Sequence, residues 1–272
     1  YVTKPFGMAE LVARIRAVLR RRTPDEPMVA EVRSEGFRVD LAAAFRLAVE
    51  MNWHESVGNH FSAAVSPDGK QFLMNPKWRH FSTIRASDLQ LLDADDQETM
   101  KRADAPDVSA WAIHGGIHGS VPHARVLLHL HPPYATALAG LADPEFKPID
   151  QNTARFYNRI AVDMNYGGIA EGQDEGKRLG RVLGNRSTMM MANHGVLVAA
   201  PTVAEAWEHM YFLERAAQTL MLAYASGQKL NIMSPELAEK TARDWDDYKD
   251  SCFAHFEHLK RQLDKKDPSY KE

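Results

Sequence analysis

Two histidines, His129 and His131, stand one residue apart in the apolar run RVLLHLHPPYATALAG at 125–140. In a strand, alternate side chains share a face, so both imidazoles project the same way while Leu130 projects the other. Their ring nitrogens can then converge beyond the strand end. A third imidazole would complete a three-histidine site with open positions, the donor set of a catalytic divalent metal. His194 is placed to supply it, in an Asn-His-Gly turn between two apolar strand segments where Gly195 permits a sharp backbone path. The competing reading is three core histidines bonded to backbone carbonyls. His114 and His118 also stand four apart on one helix face. No glutamate lies between them, so the zincin pattern is not met and they read as cleft-lining or supporting groups.

A metal held by three imidazoles chelates two adjacent oxygens of a substrate such as a hydroxy-carbonyl or hydroxy-carboxylate. As a Lewis acid it stabilises the enolate that forms when a C–C or C–H bond breaks. Imidazole ligands suit several first-row metals, so ligand type alone does not choose; zinc is the first expectation, with manganese, iron and cobalt as alternatives. An anionic substrate needs cations and polar contacts. Arg79 and His80 after Asn75, and Arg155 with Tyr157 in DQNTARFYNR, are the candidates, with solvated surface charge or packing as the competing readings. Asn59 either positions a strand or touches substrate.

The elements that must position these groups follow from periodicity. FRVDLAAAFRLAVEMNW (37–53) is helical; HFSAAVS (60–66) and QFLMN (71–75) form a hairpin around Pro67-Asp68-Gly69; LQLLDA adds a short strand. Asp107 caps a helix through VSAWAIHGGIHGSV, despite its Gly pair. ARVLLHLH (124–131) is a strand, and Pro132-Pro133 opens a helix. STMMMANHGVLVAA (187–200) makes two strands meeting at His194, with the methionines as core filling. Thr202 and Glu205 form a capping box for a long helix, Ser234-Pro235-Glu236 starts another, and 249–264 makes a last one. Strands and helices in this mixture predict a three-layer α/β domain.

Composition is that of a globular protein, with 44% hydrophobic and 25% charged residues. A net charge of -3 offers no general electrostatic case for nucleic acid, and no apolar run is long enough for a membrane span. A single cysteine, Cys252, excludes an intrachain disulfide and fits a reducing cytoplasm. Residues 1–22 differ from the rest, with six Lys/Arg against one Glu. Their Lys4-Pro5 entry and amphipathic helix resemble the C-terminal tail of a response-regulator receiver domain without its sheet or phosphate-accepting aspartate, so no signalling role follows. The expected division is a receiver-like fragment at 1–22, a linker at 23–36 and the main domain at 37–272.

ARVLLHLHPPYATALA, followed some sixty residues later by MMANHGVLV, resembles the class II aldolase/adducin family, and GNHFSAAV is similar to that family's Gly-Asn-Xaa-Ser strand. The likeness covers roughly residues 37–230. It implies a three-layer α/β/α fold with a central, largely antiparallel sheet. It also implies a divalent metal on His129, His131 and His194, and a homotetramer with active sites between subunits. The family's sugar-phosphate aldolases carry a glutamate nineteen residues before the first metal histidine, and here that position is Ala110. Alanine cannot exchange a proton, and the objection extends to related epimerases. Ser109 matches a phosphate-contacting serine, but Asn75 stands where those enzymes often have threonine, and NPKWRHFS replaces their Gly-containing phosphate loop.

The expectation is therefore a metal-dependent lyase, decarboxylating or cleaving a small hydroxy-carbonyl or hydroxy-carboxylate anion, and not a standard sugar-phosphate aldolase. His114, one turn beyond Ala110, is the expected proton donor. The alternatives are a non-catalytic, adducin-like interaction module and a metal-dependent epimerase or isomerase.

Overall fold

Seven short apolar runs form one sheet: β1 (His60–Ala64), β2 (Gln71–Met74), β3 (Gln90–Asp93), β4 (Val126–Leu130), β5 (Ile160–Asp163), β6 (Thr188–Met191) and β7 (Gly195–Ala200). The computed structural model describes residues 26–168, 172–248 and 250–272. The strand order is β3-β2-β1-β4-β7-β6-β5, and only the edge pair β5–β6 is parallel. Around the sheet lie α1 (Glu26–Glu50), α2 (Val108–His118), α3 (Pro133–Ala139), α4 (Gln151–Ala154), α5 (Gln173–Leu183), α6 (Val203–Ala225), α7 (Pro235–Asp246) and α8 (Ser251–Lys266).

Period-two alternation divides the sheet into two buried faces. Phe61 and Ala63 of β1, Val126, Leu128 and Leu130 of β4, and Val196 and Val198 of β7 pack with Phe45, Trp207, Leu213 and Phe256 from α1, α6 and α8. The intervening residues Leu127, Met189, Met191, Leu197 and Ala199 face Ile113 and Ile117 of α2 and Leu179 and Leu183 of α5. Both faces are buried, each fully buried Leu or Phe contributing about 1.5–3 kcal/mol, and three layers result. His129 shares its face with Leu127, so it points toward the α2/α5 layer.

The Gly pair in α2 has a packing reason. A Cβ on Gly116 would sit 2.7 Å from the Gly176 carbonyl carbon, and one on Gly176 would sit 2.4 Å from the Ala112 oxygen. Two glycines let α2 and α5 touch backbone to backbone, and this contact outweighs the helix-propensity cost of about 1 kcal/mol per glycine. Asp107 caps α2 as expected, accepting from the N–H groups of Ser109 and Ala110.

The expected elements are present with small shifts at their ends, and three were not anticipated. β5, α4 and α5 lie in the polar middle, where short segments carry no clear period. Helix α1 begins at Glu26, so most of the 23–36 stretch expected as linker is helical. Pro27 falls in the first turn, where proline is tolerated, and apart from Gly36 the residues after it suit a helix and run without a break into LAAAFRLAVE. The receiver-like fragment at 1–22 lies outside the described residues. Among the described residues no helix is long and apolar enough to cross a membrane.

Candidate metal centre

His129 is the penultimate residue of β4, and His131 follows that strand, just before the Pro132-Pro133 entry to α3. The buried Glu214 of α6 holds that entry, its carboxylate accepting from the N–H groups of Tyr134 at 3.0 Å and Ala135 at 2.8 Å. His194 sits in the turn between β6 and β7. The left-handed residue of that turn is Asn193, with φ 56°, rather than Gly195. Glycine at 195 serves a different need: a Cβ there would lie 2.2 Å from the His131 ring carbon Cδ2 and 2.8 Å from the Leu130 oxygen.

The three imidazoles converge, with one ring nitrogen from each lying within 4.8 Å of the others. Two of them are tied from behind. His129 Nδ1 donates to the Val196 carbonyl at 3.0 Å, and His131 Nδ1 donates to Glu55 Oε2 at 2.6 Å. Carbonyl and carboxylate oxygens only accept, so both Nδ1 atoms carry hydrogen, and in neutral rings both Nε2 atoms carry lone pairs. Those two Nε2 atoms face each other at 3.2 Å. Two lone pairs at that distance repel unless a positive centre, a proton or a metal ion, sits in front of them. A carboxylate behind a ligating imidazole is also the usual way to fix its tautomer and raise its basicity. The donor set therefore fits a divalent metal. Burial first, then the neighbouring imidazoles, pushes His129 well below the ordinary histidine value. Burial, then His131, brings His194 down to about 4. Both rings are thus neutral and able to ligate near pH 7.

In front of His129 and His194 lies a cavity of about 80 Å³, also lined by His60, Ser109, Asp163, Asn165 and Tyr166. Asp163, at the end of β5, accepts two hydrogen bonds from Arg178, at 2.9 and 2.6 Å. Burial alone would raise its carboxyl, but Arg178 and the Asn165 N–H outweigh that and hold it below the ordinary carboxylate value.

The profile of the Class II Aldolase and Adducin N-terminal domain matches residues 39–221, a span that contains all three histidines. The chain belongs to the class II aldolase and adducin family. It is 31% identical over 206 residues to a putative aldolase class 2 protein of Caulobacter vibrioides, covering 76% of this chain and 79% of that one. It is 28% identical over 169 residues to Decarboxylase NovR of Streptomyces niveus, covering 62% of each. The crystal structure of an aldolase II superfamily protein from Pseudomonas syringae superimposes with a TM-score of 0.79 at 29% identity, covering 94% of this chain and all of that one.

Within this class II aldolase fold, the other residues expected at the site divide. Ser109 lines the cavity, its hydroxyl donating to Asp107 at 2.6 Å. Ala110 is buried beside it in the first turn of α2. Asn75 braces the start of β1, accepting from the Phe61 N–H at 3.2 Å. Asn59, with φ 67°, enters that strand and keeps a buried Oδ1 without a partner. His114 does not reach the cavity: it is fully buried, with one ring nitrogen on His60 and the other on Ser62. His60 stands between His114 and the cavity.

Arg79 pairs with Asp88, and His80 caps a short turn at Ser82. Neither lines the cavity. Arg155 and Tyr157 precede β5, at the opposite end of the strand from Asp163. Arg155 stacks there on Phe212 and Trp245, its Nη1 buried and unpaired, in a separate cavity of about 650 Å³. Within one chain these four residues do not meet the histidines. Three contributors escaped the sequence reading. Glu55 carries no local signal, being 76 residues from His131. Asp163 lies in the unanticipated β5. His60 was visible only as part of His-Phe-Ser, a spacing that puts His60 and Ser62 on one face.

Proposed function

We propose that this protein is a divalent-metal-dependent carbon–carbon lyase, a decarboxylase or retro-aldol enzyme, acting on a small hydroxy-carbonyl or hydroxy-carboxylate anion. The observation that carries this reading is the facing pair of Nε2 atoms on His129 and His131, 3.2 Å apart with both Nδ1 atoms committed behind them. His129, His131 and His194 would hold the ion, with zinc the first candidate among zinc, manganese, iron and cobalt. When bound, such an ion supplies Lewis acidity at a substrate oxygen, and so an electron sink for C–C cleavage.

The chain's own groups orient and enclose. Val196 and Glu55 fix two ligand tautomers, while the Arg178–Asp163 pair stiffens the cavity wall. Ala110 supplies no proton acceptor, which favours decarboxylation over aldol cleavage, because loss of carbon dioxide needs no base to remove a hydroxyl proton. Likeness to Decarboxylase NovR supports the same direction. The described lining of the cavity holds no lysine or arginine. An anionic substrate is accordingly balanced by the ion and by a neighbouring copy, in a homotetramer with sites between subunits. The exposed Val162, Met164 and Tyr166, on and beside edge strand β5, support such a contact.

The test is metal analysis of the purified protein, followed by assays of carbon dioxide and aldehyde release. Hydroxy-carboxylates and aldol substrates would be offered with and without phosphate. About one divalent ion per chain and C–C cleavage are expected. Protein that stays metal-free and fully stable in metal-replete medium would overturn the reading in favour of an interaction module. Metal with substrate inversion and no cleavage would replace it with an epimerase.

A further inference from the structure

Beneath the metal centre lies a line of polar groups that ligand binding does not use. It starts at the Ala124 carbonyl, which accepts from His118 Nδ1 at 2.6 Å. Ser62 Oγ lies 2.6 Å from His118 Nε2 and within hydrogen-bonding distance of His114 Nδ1. His114 Nε2 then meets His60 Nδ1 at 2.7 Å. His60 stacks on the ligand His129 with ring centroids 4.9 Å apart, and it lines the cavity.

The closed end sets a direction. A carbonyl can only accept, so His118 carries its hydrogen on Nδ1 and offers a bare Nε2. Ser62 has one hydroxyl proton and gives it to that nitrogen, so its oxygen accepts from His114 Nδ1–H. His114 then has a bare Nε2, which takes the Nδ1 hydrogen of His60. All three rings are buried and none is bonded to a carboxylate, so nothing in the line stabilises an imidazolium. Every hydrogen in the line therefore points away from the cavity. The line ends on a carbonyl, which cannot pass a proton on, so it orients and does not conduct.

We propose that His118, Ser62 and His114 lock His60 in its Nδ1–H tautomer, so that His60 presents a bare Nε2 beside the metal centre and accepts a hydrogen bond from a substrate hydroxyl. Nε2 lies on the opposite side of the ring from the His114 contact, and no described residue bonds to it. The recognised substrate class thus carries an O–H donor next to the oxygens that the metal would chelate; this part rests on the lyase reading. His60 is a substrate-contacting residue in this scheme, and Ser62, His114 and His118 are positioning residues.

Histidine-selective ¹⁵N labelling with NMR reads the tautomer of each ring, with signals assigned by His→Asn variants. In metal-free full-length protein, His60, His114 and His118 should each be a single Nδ1–H tautomer. Ser62→Ala should let His114 and His60 populate both tautomers while His118 stays Nδ1–H on Ala124, which also reports that the variant is folded. Ser62→Thr, which keeps the hydroxyl, should restore the single tautomer. An Nε2–H His60 in the wild type, or a His60 unaffected by Ser62→Ala, would overturn the lock. Since no metal is involved, that result stands apart from the lyase reading. On zinc-treated protein, glycolate should shift the His60 Nε2 signal and methoxyacetate, which lacks the hydroxyl proton, should not. Equal shifts, or none, would remove the recognition role.

Discussion

His129 and His118 are almost equally buried, at 4% and 3% exposure, and both project from the chain into the same α2-facing layer. One belongs to the candidate metal centre and the other to a closed hydrogen-bond line. Burial does not separate them; the count of uncommitted nitrogens does. His129 has one acceptor behind it and a bare front, whereas His118 has Ala124 on one nitrogen and Ser62 on the other. A buried imidazole keeps a nitrogen free to ligate when the fold satisfies half of it.

The sharpest way to break this comparison is His194→Ala. Metal content, measured after dialysis, should fall from about one ion per chain to almost none, and activity should vanish with it. Retention of the ion would mean that the open set is not the ligand set.

Acidification comes next, because rings in both sets lie below the ordinary histidine value when folded. His60, His118, His194 and the half-buried His209 of α6 are all depressed from 6.5 to about 4, chiefly by desolvation. Between those values the unfolded chain binds more protons than the folded one, so stability is complete above about pH 6.5 and lost as pH falls toward 4. The urea midpoint of metal-free protein should drop steeply from pH 7 to pH 5, and a flat profile would contradict the assigned neutral rings.

Glu55→Gln tests the half-satisfied ring directly. Glu55 is exposed and its loss should leave the fold intact, while metal affinity weakens about 10–100-fold in a chelator competition. The mildest change is His118→Gln. Leaving Ala124 or Ser62 without its buried partner should cost about 1–3 kcal/mol in denaturant unfolding, with metal content unchanged.

The same distinction explains what could be read from the chain before folding. His129, His131 and His194 were legible because period two and a tight turn are local signals. The capped helices were legible for the same reason, since Asp107 and Thr202 stand next to what they cap. His114 was misplaced because helix periodicity says which residues share a face and says nothing of what faces them. Its partners His60 and Ser62 come from β1, 54 and 52 residues away. Glu55 and the Arg178 clamp on Asp163 arise only when the sheet closes. Strand β5 was missed because its four residues sit among polar neighbours and gain strand character from pairing with β6.

Gly195 carries a consequence for how this site tolerates change. Glycine weakens a strand, so almost any substitution at the start of β7 would improve local strand propensity. The His131 ring occupies the volume that the new side chain would need. Any substitution must therefore displace that ring or the Leu130 carbonyl, so local strand propensity gives no guide to what this position tolerates. The position of the His131 ring is thus protected by a side chain that is not there.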